Sequence, residues 1–281
     1  MMTHEKHQEP PILAMSVVLF HSDLDRLERL LVSLTSSLRA TRIEQAVMVC
    51  VDHSLDEDYS KRARSLCSGF QGVAGLTVDW VTASANPGYG AGHNAALARV
   101  HSRYHLLLNP DVELEINALC SALDAFEQNP NAALLSPVGR SDSGSPAYLA
   151  KAYPNVWVLA LRAFGPNWLK RLNAVTMARY EMRECGDELS SREIELASGC
   201  CMWVRRDLLD KVGGFDESYF LYFEDYDLSM KLAKHGQLLE HRSLRITHHG
   251  GNAASKSWRH VWWFAQGAAR FFHRWGWRWY G

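Results

Sequence analysis

Several things are missing from this chain, and each absence narrows what it can be. Its six cysteines (Cys50, Cys67, Cys120, Cys185, Cys200 and Cys201) include no C-x-x-C pair and no secretory disulfide framework. Most sit in apolar runs such as Val-Met-Val-Cys-Val, which predicts free buried thiols in a reducing compartment. No stretch reaches the ~18 uncharged apolar residues of a membrane span. The opening MMTHEKHQEPP is polar and ends in a double proline, so no signal peptide is expected. No Ser-His-Asp or Cys-His order presents itself, and with a net charge of −1 no nucleic-acid partner is expected. Acidic residues stop altogether at Glu240, whereas Arg242, Arg245, Lys256, Arg259, Arg270, Arg274 and Arg278 follow it. Six of the ten tryptophans also fall within residues 258–281, so the tail is a different kind of surface.

What is present is an ordinary enzyme composition. Hydrophobic residues make up 47% and charged ones 22% of 281 residues, enough to bury a sizeable core in one large domain or one and a half. Met15–Phe20 reads as a buried strand. Leu24, Leu27, Leu30, Leu31, Leu34 and Leu38 then recur at helical spacing. Ala46–Val51, Leu76–Thr82 and Tyr104–Leu108 read as further strands, with helices over about 56–68, 91–100 and 115–128 between and after them. That alternation predicts an α/β fold with βαβ units and a parallel sheet covered on both faces. Ligands then bind at the carboxyl ends of the strands, on the loops after Phe20, Val51, Thr82 and Leu108. Residues 139–192 lose the rhythm. It returns with Cys201–Val204, a helix near 205–212 and another starting near Glu224.

Four motifs carry chemistry. Leu108-Asn109-Pro110-Asp111-Val112 sets a carboxylate directly after a buried strand, where a hard oxygen ligand can hold Mg²⁺ or Mn²⁺ against a diphosphate; taken alone it is also a plain Asx-Pro turn. Phe223-Glu224-Asp225-Tyr226-Asp227 is either a general base raised by apolar walls and like charges or a first helical turn answering its dipole. Thr247-His248-His249-Gly250 places imidazoles at a strand end, where a divalent metal takes them readily. Asn86-Pro-Gly-Tyr-Gly90-Ala-Gly-His-Asn94 opens a helix with glycines that let backbone approach a ligand. It is not the dinucleotide fingerprint: the third glycine of G-x-G-x-x-G would fall at His93, and the loop follows the third strand instead of the first.

In this order, together with Ser16-Val-Val-Leu-Phe, Val51-Asp-His-Ser54, Ser198-Gly-Cys-Cys-Met202 and Gly213-Gly-Phe-Asp-Glu217, the motifs resemble the family 2 glycosyltransferases of the GT-A fold, and among them the bacterial rhamnosyltransferase-like subgroup. The resemblance covers about residues 15–250. It implies a GT-A domain over 14–250, with a nucleotide-binding half (14–112) and an acceptor-binding half (113–250), between a flexible N-terminus (1–13) and an aromatic, basic tail (251–281). It implies that Asp52 contacts the nucleotide base and ribose, that Asn86, Gly90 and Asn94 belong to the glycine loop of that pocket, and that Asn109 and Asp111 stand where the family has its D-x-D motif. The first acid is Asn109 here, as is usual in the subgroup. Asp225 matches the general base, Glu224 orients the acceptor, and His248 or His249 completes the metal site. The implied activity is inverting, metal-assisted transfer of a sugar, rhamnose being the subgroup's suggestion, from a nucleoside-diphosphate donor to a glycan or lipid-linked acceptor.

The tail adds a partner. Wound as a helix, Phe264, Ala268, Phe271, Phe272, Trp275 and Trp279 share one face, and Arg270, Arg274 and Arg278 lie on another, a composition suited to a membrane interface. Residues 257–281 are thus expected to hold the enzyme at the inner face of the cytoplasmic membrane; alternatively these aromatics pack on the catalytic domain or a second subunit, as in a homodimer. Two rival classes remain at this point: a nucleotide-binding module without catalysis, and a peripheral membrane interaction protein.

Overall fold

Seven consecutive buried residues form β1 (Leu13–Leu19), which lies between β2 (Ala46–Asp52) and β4 (Tyr104–Leu108), parallel to both. This computed structural model describes residues 11–183, 190–250 and 258–280. Most of the expected flexible N-terminus, Cys185 and Lys256 therefore lie outside the described residues. β3 (Leu76–Thr82) extends the parallel group beyond β2. The helices between the strands are α1 (Leu24–Arg39), α2 (Glu57–Ser68) and α3 (Tyr89–Leu97). Asp23 caps α1 through the N–H groups of Asp25 and Arg26. The leucine stripe is realised, with Leu27, Leu30, Leu31, Leu34 and Leu38 buried against the sheet, each such burial stabilising by about 1.5–3 kcal/mol. One polar residue interrupts β1. Ser16 Oγ is bonded to His93 Nδ1 at 2.6 Å and His105 Nε2 at 2.9 Å, so the hydroxyl is satisfied in the core.

Past β4 the sheet changes character. After β5 (Val112–Leu114), α4 (Ala118–Gln128) leads into β6 (Ala132–Arg140). Next come β7 (Pro146–Ala147), β8 (Ala150–Lys151), and the helices α5 (Val156–Phe164), α6 (Asn167–Leu172) and α7 (Ala174–Tyr180). The chain continues with β9 (Ser191–Glu193), β10 (Leu196–Ala197), β11 (Cys201–Arg205), α8 (Arg206–Lys211), α9 (Glu224–Leu232) and β12 (Gln237–His248). The strand order is β3-β2-β1-β4-β11-β6-β12-β5. β11 runs antiparallel to both β4 and β6, whereas β6 and β12 are parallel. The expected α/β class and mainly parallel centre hold. The segment 139–192, which shows no period in sequence, contains three short helices outside the sheet.

The tail forms α10 (Trp258–Trp275), and its apolar face turns inward. Phe271 and Phe272 are buried; Phe264 and Phe271 pack on Phe223, and Phe271 also on Tyr153 and Tyr226. The arginines are spent on the domain too: Arg274 pairs with Asp216 at 2.8 Å and Asp227 at 3.2 Å, Arg270 lies over Tyr219, and Arg278 over Tyr153. The face expected to enter a lipid interface is therefore a packing face, because aromatic and acidic partners on the domain lie within its reach. No helix among the described residues is long and apolar enough to cross a membrane.

Candidate active site

The carboxyl ends of β1, β2 and β4 open side by side, and antiparallel β11 starts at the same end, because Cys201 pairs with Leu108. Asp52 ends β2 and is buried. Its Oδ1 accepts from Ser54 N–H at 2.8 Å, and its other oxygen accepts from Ser60 of α2, so the carboxylate also shapes its own loop. His53 follows, its Nδ1 buried without a partner. Asn86 Oδ1 accepts from Gly88 N–H at 3.0 Å. Gly88 has φ 106°, a left-handed conformation open to glycine, and Tyr89 N–H beside it donates to Phe220 O at 3.1 Å. Gly90 lies flush against Phe215.

Asn94 is engaged elsewhere. Its Oδ1 accepts from Phe215 N–H at 2.9 Å, and its Nδ2 donates to Phe215 O at 3.0 Å and Glu217 Oε1 at 2.9 Å. Its amide therefore clasps the Gly213–Glu217 loop, so the expected role of Asn94 in lining a nucleotide pocket gives way to a structural one.

Asn109 continues from β4 and donates its backbone N–H to Cys200 O at 2.8 Å. Asp111 then meets the end of β12, since His248 pairs with Val112. His248 Nε2 lies 3.4 Å from Asp111 Oδ1. A Cβ at Gly250 would stand 2.7 Å from both Asp111 Oδ2 and His248 Nε2, so glycine leaves that pair uncovered. Burial raises the Asp111 carboxyl, but His248 beside it, a backbone N–H and Arg26 together hold it below the usual range. His249 is turned to other carboxylates: Nε2 is 2.6 Å from Glu113 Oε1, and Nδ1 meets Asp142. Of the two histidines, the fold brings His248 to Asp111.

Whether these residues suit a divalent ion can be tested on their donors. Asp111 Oδ1 is buried without a hydrogen-bond partner, and a carboxylate oxygen with an imidazole nitrogen is a donor set that Mg²⁺ or Mn²⁺ accepts. Among the described residues no group of three or more such ligands occurs. The pair fits an ion whose remaining ligands are phosphate oxygens and water, as hard cations in phosphate sites commonly have.

The acidic cluster opens α9, and its members separate by environment. Asp227 is fully buried and structural, accepting from Trp275 Nε1 at 2.8 Å and pairing with Arg274. Asp225 Oδ2 accepts from Gly199 N–H at 2.8 Å and Oδ1 from Tyr226 N–H at 2.9 Å. Burial raises its pKa, and these N–H groups restrain the rise. Glu224 Oε2 is buried without a partner, and burial followed by the charge of Asp225 pushes it well above the glutamate range. The pair thus favours an ionised Asp225 beside a protonated Glu224. Cys200 lies within the field of both centres: burial lifts its thiol to about 12, opposed by Ser198, with Asp111 and Asp225 adding to the rise. The Gly199–Cys200 segment thus links the strand end that carries Asp111 to the helix start that carries Asp225.

The sequence reading did not assign Gly199, Tyr89, Tyr222 or Phe223. Tyr89 OH donates to Gly199 O at 2.6 Å, joining the glycine loop to the turn that holds Asp225. Tyr222 and Phe223 have φ 71° and 68°, a left-handed pair of bulky residues directly before Glu224, each costing roughly 1–3 kcal/mol. α10 holds the turn. Gly267 lies so close that a Cβ there would stand 2.7 Å from Tyr222 O, and Tyr222 OH bonds His260 Nδ1 at 3.0 Å. The one sequence signal was the inward Phe264/Phe271 stripe.

A twisted α/β sheet with Asn-Pro-Asp at one strand end and Glu-Asp opening a helix across the cleft defines a protein of the GT-A glycosyltransferase fold, and solved structures agree. GalNAc-T7 with UDP, GalNAc and Mn²⁺ superposes with a TM-score of 0.68 at 12% identity, over 95% of this chain and 48% of that one. The mannosyltransferase PcManGT of Pyrobaculum calidifontis, in complex with GDP-Man and Mn²⁺, gives 0.63 at 13% identity, over 94% and 64%. The family profile "Glycosyltransferase like family 2" matches residues 10–241. The chain belongs to that family. It is 32% identical over 185 residues to the N-acetylglucosaminyl-diphospho-decaprenol L-rhamnosyltransferase of Mycobacterium tuberculosis, covering 61% of this chain and 59% of that protein. It is also 23% identical to Rhamnosyltransferase WbbL of Escherichia coli K12, over 78% and 80%. The chain thus spans about three fifths of the mycobacterial relative's length and most of WbbL's.

Proposed function

We propose that the protein is an inverting glycosyltransferase that moves a sugar, rhamnose by analogy with its relatives, from a nucleoside diphosphate to a hydroxyl of a glycan or lipid-linked acceptor in cell-surface polysaccharide synthesis. The carrying observation is the environment of Asp225. Each of its oxygens accepts one backbone N–H, which fixes the carboxylate and leaves lone pairs for an incoming O–H. Asp225 takes the acceptor proton as the hydroxyl attacks the anomeric carbon opposite the departing diphosphate. Protonated Glu224 donates to the acceptor and orients it. Asp52, Asn86 and the Gly88–Gly90 backbone receive the nucleotide. Asp111 and His248 would hold Mg²⁺ or Mn²⁺, which neutralises charge on the leaving diphosphate when bound. Asn109 lines the donor side.

The test is to incubate the protein with deoxythymidine diphosphate rhamnose, related sugar nucleotides and candidate acceptors. The reading expects free nucleoside diphosphate in the presence of Mn²⁺ or Mg²⁺ and none in EDTA, with the product's anomeric configuration inverted. Retention of configuration, or full turnover in chelator, would contradict it.

A membrane-surface location is the second part of the reading, with a revised contact. Trp168, Leu172 and Val175 on α6 and α7 are exposed, as are Trp279 and Tyr280 in the tail, where Trp279 O accepts from Trp157 N–H of α5 at 3.4 Å. No acid occurs between Asp142 and Glu181, whereas Lys170 and Arg171 lie within the patch. Aromatic and basic groups of this kind suit an anionic leaflet. Co-sedimentation with anionic liposomes should fall on Trp168→Ala with Leu172→Ser; unchanged sedimentation would remove this surface from the account.

A further inference from the structure

One buried cation near the base stands without an anion. Lys151 ends β8 opposite Leu196, and Ser198 N–H donates to Leu149 O at 2.9 Å, so this strand adjoins the Ser198–Cys200 loop that holds Asp225. Lys151 is 5% exposed. Its ammonium donates to Tyr148 O and lies 5.7 Å from the centre of the Tyr180 ring. Arg162 of α5 approaches the same ring, Cζ at 5.9 Å from its centre, and donates to Tyr180 OH at 3.3 Å. Tyr180 OH bonds Tyr226 OH at 2.7 Å, and Tyr226 N–H is a donor to Asp225. The two cations therefore sit one tyrosine pair away from the base.

Neither has an ion pair among the described residues. The charge of Glu181 reaches both cations, but its carboxylate is paired with Arg183 at 2.5 Å. A buried ammonium without a counter-ion is costly, and a second cation on the same ring adds repulsion. Burial, then Arg162, brings the Lys151 pKa down to about 8, so the ammonium remains mostly charged at neutral pH. Packing alone explains the tyrosine contacts but not a buried ammonium that has no ion pair and lies beside a second cation with unspent N–H groups. An arginine fork beside a lysine point charge is a donor set matched to phosphoryl oxygens.

We propose that Lys151 and Arg162 form a phosphate-binding subsite on the acceptor side of Asp225, so that the attacking hydroxyl arrives on a molecule bearing a phosphate or diphosphate ester. This rests on the sugar-transfer reading for the identity of the nucleophile; the anion site itself can be measured without turnover. The same oxygens could come from the donor's diphosphate, so the test separates the two sources.

Binding of three probes is measured by titration calorimetry: N-acetylglucosamine 1-phosphate, its neutral counterpart methyl N-acetylglucosaminide, and deoxythymidine diphosphate with Mn²⁺. The wild type should prefer the phosphorylated sugar by roughly 10-fold or more, the scale of charge-assisted hydrogen bonds. Lys151→Gln and Arg162→Gln should each erase most of that preference, Lys151→Arg should restore it, and nucleotide affinity should stay within about two-fold. Arg162 is exposed and keeps the test valid if the buried Lys151→Gln change unfolds the protein, which its thermal transition reports. No preference in the wild type, a preference that survives both variants, or a loss confined to the nucleotide would each overturn the proposal. A wild type that never turns over, yet shows the preference, would sink the transferase reading and leave the subsite standing.

Discussion

The two halves of the cleft are built on different principles. On the proposed nucleotide side, each candidate group follows a parallel strand and is held by near neighbours: Asp52 by Ser54 and Ser60, Asn86 by Gly88. On the acceptor side almost nothing is local. Asp225 takes a hydrogen bond from Gly199, 26 residues earlier, and the turn before it is braced by α10, more than thirty residues later. A site on strand ends inherits its geometry from the sheet. A site gathered from distant loops needs a brace, and here the aromatic tail supplies it.

The sharpest division the account predicts lies between two adjacent histidines. His248→Ala should reduce metal-dependent turnover by roughly 10²-fold or more, the scale of a lost electrostatic stabiliser, and raise the Mn²⁺ concentration needed. His249→Ala, whose ring faces Glu113 and Asp142, should cost far less. Metal titrations of both variants check this, and equal losses would erase the distinction. A smaller effect is expected from the brace. Gly267→Ala drives a methyl group against Tyr222 O and should lower kcat roughly 10-fold by misaiming Glu224 and Asp225, with nucleotide Kd unchanged. A matched fall in nucleotide affinity would mean that the two halves are not separable.

This contrast also explains what could be read from the sequence. Periodicity located β1 to β4 and α1 to α3 to within a few residues, because a strand buried on both faces and an amphipathic helix each leave their own spacing. It also placed Cys201–Val204 and the start of α9. It did not show α5 to α7, whose short helices pack through scattered contacts such as Tyr180 with Tyr226. The tail's aromatic stripe was visible, but periodicity cannot say whether such a face meets lipid or protein; Phe223 and Asp227 are its partners here. The placement of Asp111 at a strand end and of Asp225 at a helix start was legible because such carboxylates form short motifs. Lys151 was not, since a lone lysine in a two-residue strand carries no pattern.

The most direct measurement of the central claim is Asp225→Asn, followed for turnover across pH together with nucleotide affinity. Asparagine preserves the shape, and its one amide oxygen can accept from Gly199 or from Tyr226 but not from both; it cannot take a proton. Turnover should fall by ~10²–10⁴-fold while nucleotide Kd stays put. The wild type needs Asp225 ionised, and burial raises its pKa, so its rate should decline as pH falls through a value above the ordinary aspartate range. That limb should vanish from whatever activity the variant retains. Turnover within a few-fold of wild type, with the acid limb intact, would contradict the account.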